Sequence, residues 1–187
     1  MPKTEADSPL TPAQVQNLER IIHLYVAQLE RCTSANAPLA SCIMVGAIVE
    51  AMLTMIANIF FKEAIQTGKA PKYSKTKRKG ETWELLKWKF SQLLDVAKGA
   101  KWLPEQIEPE SSLDPRPVKT PVRTDTILAV RNLVHPARYL KDREGKEYTN
   151  EELGTLYATC QAVFTCLENK IYQARPELRT AKIGSTE

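Results

Sequence analysis

A chain of 187 residues is long enough for one domain, and a domain of that size buries roughly 70% of its unfolded surface around a single core. With 43% hydrophobic and 26% charged residues, it lacks the low-hydrophobicity, high-charge signature of an intrinsically disordered chain. A formal charge of +4 is too small by itself to name an anionic partner, and the two histidines, His23 and His135, exclude most metalloenzyme and catalytic-triad readings.

Residues 1–10 read as a flexible N-terminus: MPKTEADSPL carries acids and a proline and has no hydrophobic core, so it does not read as a signal peptide. A first helix starts at once. Thr11 can cap it, Pro12 suits its first position, Gln14 completes a capping box, and Leu10 can staple onto Val15. Its apolar residues Val15, Leu18, Ile22, Tyr25 and Leu29 recur at steps of three and four and make one stripe for packing against other helices. His23 lies off that stripe and has no partner at a suggestive spacing.

A second helix, from about Pro38 to Phe61, is apolar almost all round and long enough to cross a membrane. Ser41, Gly46, Glu50, Thr54 and Asn58 interrupt it four or five residues apart, and a bilayer would penalise Glu50 near its middle by about 3 kcal/mol. The expectation is a buried central bundle helix and no membrane. A mid-helix carboxylate there would pair with an Arg or Lys of a neighbouring helix, and Arg131 is one candidate.

Between Glu63 and Glu81 no acid opposes Lys69, Lys72, Lys75, Lys77, Arg78 and Lys79, so much of the positive excess sits in a basic loop, 65–80. Such runs are usually solvated, and Tyr73 alone supplies an aromatic for base stacking; contact with an RNA backbone is the functional alternative. A third helix is expected with Trp83, Leu86, Phe90, Leu93 and Ala97 on one face, ending near Gly99. Trp83, Trp88 and Trp102 are expected in core and rim packing.

The segment 104–121 contains five prolines and several acids, and reads as an extended surface crossover. A helix then begins near Thr124 with Ile127, Val130 and Val134 inward. The last helix starts at Thr149, where Glu152 completes another capping box, runs through Leu153, Leu156, Cys160, Val163, Leu167 and Ile171, and stops at Pro176. No strand-length alternation occurs. The expected fold is all-α: an antiparallel bundle of four long helices plus a shorter one, in a single domain over 11–175 with a tail at 176–187. Cys32, Cys42, Cys160 and Cys166 form no C-x-x-C pair and sit in apolar helical runs, the pattern of reduced thiols in a cytoplasmic protein.

Arg131 and His135, four residues apart, share a helix face, and Pro136 follows directly. Pro136 cannot donate to the Asn132 carbonyl, so the helix should kink or end there and present His135 at the rim beside Asn132, Arg138 and Tyr139. An imidazole can act as acid or base on a ribose 2′-hydroxyl while a guanidinium stabilises phosphoryl charge. Neither metal nor cofactor is required. Equally, an Arg and a His on one helix commonly make a structural pair or a solvated edge.

The run Arg131-Asn132-Leu133-Val134-His135 resembles the signature of the HEPN superfamily of small all-α domains, and the helix order over about residues 11–173 is similar too. The spacing between Arg131 and His135 is shorter than that family's usual one. The resemblance implies a metal-independent endoribonuclease of toxin or antiviral-defence type, acting as a homodimer, with RNA and an antitoxin or other protein as partners. It makes Arg131, Asn132 and His135 catalytic, with Asn132 orienting or binding the phosphate. Beside it, the residues themselves offer Glu50 as structural support and Lys69, Lys72, Lys75, Lys77, Arg78, Lys79, Arg138 and Tyr139 as RNA-binding. The alternative is a non-catalytic HEPN-like module that binds a protein or nucleic acid.

Overall fold

Helix α1 (Pro12–Ser34) starts on the expected capping box, with the Thr11 N–H donating to Gln14 Oε1 at 2.8 Å and the Gln14 N–H donating to Thr11 Oγ1 at 3.3 Å. The computed structural model describes residues 10–71, 73–74, 81–82, 84–107, 120–121, 124–133 and 146–176. Within them the chain is mostly helical: α1, α2 (Pro38–Ile59), α3 (Phe61–Gln66), a 3₁₀ turn (Leu85–Lys87), α4 (Phe90–Gly99), α5 (Thr124–Asn132) and α6 (Asn150–Ala174). Two antiparallel ladders of two residues each complete it, β1 (Tyr73–Ser74) with β2 (Glu81–Thr82) and β3 (Gln106–Ile107) with β4 (Thr120–Pro121). The first ladder flanks 75–80, the later part of the basic segment, and the second flanks 108–119 of the proline-rich crossover; neither pairing was marked by the sequence pattern.

The core is built on α2, which packs against α1, α4, α5 and α6. Cys42, Val45, Ile48, Val49, Met52, Leu53, Met55 and Ile56 are all buried. α2 is long and apolar enough to cross a membrane by length and composition, and its apolar surface is met by neighbouring helices. Its polar interruptions are satisfied locally: the Ser41 hydroxyl donates to the Ala37 carbonyl and the Thr54 hydroxyl to the Glu50 carbonyl, both at 3.0 Å. Asn58 Oδ1 accepts the Leu10 N–H at 3.0 Å and ties the start of the domain to the far end of α2.

α2 stops at Ile59, short of the expected Phe61, and after Phe60 the chain continues as α3, with the two adjacent phenylalanines meeting different partners. The Phe60 ring lies 6.2 Å from Trp102 and under Lys170 Nζ at 4.4 Å, whereas Phe61 packs on Trp88 at 6.2 Å. Trp102 also donates its indole N–H to Glu63 Oε1 at 2.7 Å. Trp88 and Trp102 are buried as expected; the Trp83 side chain lies outside the described residues.

The expected third helix is broken. Residues 85–87 form a 3₁₀ turn, Trp88 is extended, and helix restarts at Phe90. Leu86, assigned to the inward stripe, is 63% exposed, and Leu85 is buried instead. On one continuous helix Trp88 and Phe90 would point about 200° apart, yet both are buried; the break resets the phase so that each reaches the core. Among the described residues, therefore, α1, α2 and α6 are long, while α4 and α5 are short.

α6 begins as expected on a Thr149–Glu152 capping box and ends before Pro176. Leu153, Leu156, Cys160, Val163, Leu167 and Ile171 are buried along its inner face. The stripe of α1, by contrast, is only partly buried against α2, and no α1 residue is fully covered.

Candidate functional site

α5 places the site through one close approach. Ile127 and Val130 point into the core, and Val130 rests on Gly46 of α2, where a Cβ would come within 2.6 Å of Val130 Cγ1. A glycine is needed there for the two helices to close. One residue after Val130 and one helical turn after Gly46 stand Arg131 and Glu50, and they meet: Arg131 Nε donates to Glu50 Oε2 at 2.9 Å. The side chains are 36% and 31% exposed, so the pair is neither dry nor freely solvated.

Beside it opens a pocket of about 220 Å³, lined by Tyr25 of α1, Ile43, Ala47 and Glu50 of α2, and Val130 and Arg131 of α5. Two charged groups stand beside an apolar surface, a combination suited to a planar ligand with polar edges. The chain matches no family model, no curated protein and no solved structure.

Of the residues expected at the site, the structure brings together Arg131 and Glu50. Asn132, half-buried, ends α5, and Leu133 turns away with its N–H donating to the Val130 carbonyl at 3.2 Å. His135, Arg138 and Tyr139 lie outside the described residues, as do Val134 and Pro136. So do Lys72, Lys75, Lys77, Arg78 and Lys79. Lys69 is exposed in the turn after α3, its N–H donating to Thr67 Oγ1 at 3.1 Å. His23 is exposed on α1.

Tyr25, Ile43 and Ala47 were not expected at the site. Ile43, Ala47 and Glu50 follow the i, i+4, i+7 spacing of a single helix face, so a signal was present around the one acid of α2. Tyr25 carried no such mark, since its place in the packing stripe of α1 accounted for it.

The two buried thiols, Cys42 and Cys160, offer no nucleophile. Burial pushes Cys42 up to about 11, against a backbone hydrogen bond that lowers it, and its Sγ donates to the Leu153 carbonyl at 3.2 Å. Burial, with the neighbouring Cys42 adding to it, pushes Cys160 up to about 12. Both stay protonated at neutral pH, and a protonated thiol is a poor nucleophile.

Proposed function

We propose that this chain is a HEPN-like antiparallel helical bundle that acts as a homodimeric, metal-independent endoribonuclease. The observation that carries this reading is the setting of Arg131: a half-exposed guanidinium on the last turn of α5, fixed through Nε by Glu50 and facing a pocket. A cation fixed before substrate arrives needs little reorganisation when phosphoryl charge develops, which is where electrostatic catalysis gains most.

In this reading the His135 imidazole removes the proton of a ribose 2′-hydroxyl, and that oxygen attacks the adjacent phosphorus. The bond from phosphorus to the 5′ oxygen breaks and the leaving oxygen takes up a proton, giving a 2′,3′-cyclic phosphate and a 5′-hydroxyl end. Arg131 stabilises the non-bridging oxygens, Asn132 donates to one of them, and the basic segment from Lys69 to Lys79 holds the flanking backbone.

The test is incubation of single-stranded RNA with the purified chain in excess EDTA. Cleavage with cyclic phosphate ends is expected, falling by about 10²-fold or more in His135→Ala. Equal cleavage by that variant overturns the proposal. A second reading, a non-catalytic binding module, is favoured by the same Arg131–Glu50 contact taken as a strut between α2 and α5. It expects intact RNA, with loss of folding or of partner binding in Arg131→Ala.

A further inference from the structure

We infer that the pocket between α1, α2 and α5 receives an unpaired guanine base of RNA. The inference rests on the RNA reading above and names which base the same site takes.

Size comes first. At about 220 Å³ the pocket is smaller than the roughly 300–1,000 Å³ of sites that enclose drug-sized ligands, so it suits one flat ring system and leaves a ribose and phosphate outside. Lining supplies the second argument. Ile43, Ala47 and Val130 present aliphatic surface to a ring face, and Tyr25 adds an aromatic wall. These are the contacts that unstacked bases of single-stranded RNA make with proteins.

Edge chemistry selects the base. An ionised carboxylate only accepts hydrogen bonds, and its two oxygens carry about four acceptor sites. Arg131 Nε occupies one of those on Glu50, and Glu50 remains 31% exposed at the pocket. Among the four RNA bases, guanine alone sets two donors side by side on its Watson–Crick edge, N1–H and the N2 amino group. Adenine and cytosine each place a ring-nitrogen acceptor next to their amino donor, and uracil flanks its one N–H with two carbonyls. Glu50 therefore attracts guanine and repels the acceptor edges of the other three. Glu50 and Arg131 line the same pocket, so a base held by Glu50 would lie beside the guanidinium that the nuclease reading assigns to the phosphate.

The experiment is calorimetric titration of the full chain with guanosine, inosine and adenosine 5′-monophosphates. Inosine keeps N1–H and loses the amino group, so the expected order is guanosine, inosine, adenosine, with the first tighter than the last by roughly tenfold or more. Glu50→Gln, which places an amide donor beside the acceptors, is expected to abolish the order. Ala47→Leu, which fills the pocket without altering either charge, is expected to weaken all three; it decides the matter if thermal melting shows Glu50→Gln unfolded. Equal affinity of the parent chain for the three nucleotides, or a guanosine affinity undiminished in Ala47→Leu, overturns the inference. The outcomes also separate from those of the nuclease test. His135-dependent cleavage without a guanosine preference overturns the base assignment and leaves the nuclease reading standing. A guanosine preference with RNA left intact supports the base assignment and overturns the nuclease.

Discussion

Two contacts of α2 differ in kind. Against α6 it forms an apolar seam, where Cys42, Cys160, Val163 and Leu167 are all fully buried and a thiol donates to a carbonyl, and a pocket of about 210 Å³ opens at its end, where Ser41 meets Asn150 and Gly154. Against α5 it forms an edge, where one close approach at Gly46 and Val130 is followed immediately by a half-exposed ion pair and a pocket. The seam is built for burial, which scales with the apolar area removed from water. The edge has little area to gain and instead fixes the position of two charges that water can still reach. The difference teaches where function can sit on this fold: the tight glycine contact provides the precision of a core, and the charges beside it stay open to a ligand.

The contrast can be broken most strongly at the seam. Leu167→Ala removes a fully buried side chain, and urea denaturation is expected to show a loss of about 2–5 kcal/mol. A loss below about 1 kcal/mol would mean that the seam collapses around the cavity and is less tightly packed than its burial implies.

Alkaline pH attacks the same seam through its thiols. Cys160 rises from 9.0 to about 12 and Cys42 from 9.0 to about 11 on folding, so the folded state binds more protons than the unfolded one between those values. Their contribution is fully present below pH 9 and is lost as pH climbs toward 12. Melting temperature is expected to fall across that window, and Cys160→Ala to flatten the fall measurably relative to the parent chain. An unchanged slope would place the Cys160 thiol in contact with water.

At the edge the expected effects are smaller. Gly46→Ala drives a methyl group into Val130, a stiff β-branched side chain, at an overpacking cost of about 1–3 kcal/mol, offset by about 1 kcal/mol of better helix propensity. A net loss of up to about 2 kcal/mol in denaturation is expected, together with weaker nucleotide binding as α5 moves off α2. A more stable variant would show that the close approach does not hold the site.

The smallest effect is expected for the ion pair itself. A double-mutant cycle of Glu50→Gln and Arg131→Gln should give a coupling below about 1 kcal/mol in stability, because both groups are partly solvated. The same Arg131→Gln change is expected to lower RNA cleavage steeply. A coupling of several kcal/mol would instead make the pair a structural strut and favour the non-catalytic reading.

Much of the fold could be read from local signals. The two threonine capping boxes start α1 and α6 where they should, and the inner face of α6 matches its heptad-like apolar spacing residue for residue. The candidate site was legible only in part. Glu50 stood out as the one acid in α2, and the cost of leaving a carboxylate unmatched among apolar helices called for an Arg or Lys partner, of which Arg131 was one candidate and is the one the structure shows. Tyr25, Ile43 and Ala47 did not stand out, because apolar residues of a bundle look alike until a neighbouring helix fails to cover them.

The sequence by itself determined the helical class, the starts of α1, α2, α5 and α6 and the buried character of α2, since capping, proline placement and apolar periodicity act over a few residues. The tertiary structure decided three further things: the break at Trp88 that lets two aromatic residues face the same core, the end of α2 at Ile59, and the meeting of α5 with α2 over Gly46. Each depends on partners 27 to 84 residues away: Phe61 lies 27 residues from Trp88, Phe60 lies 42 from Trp102, and Gly46 lies 84 from Val130. A local pattern fixes which face of a helix is apolar. Which neighbour covers that face, and where the cover stops short to leave a pocket, is settled only when the helices pack.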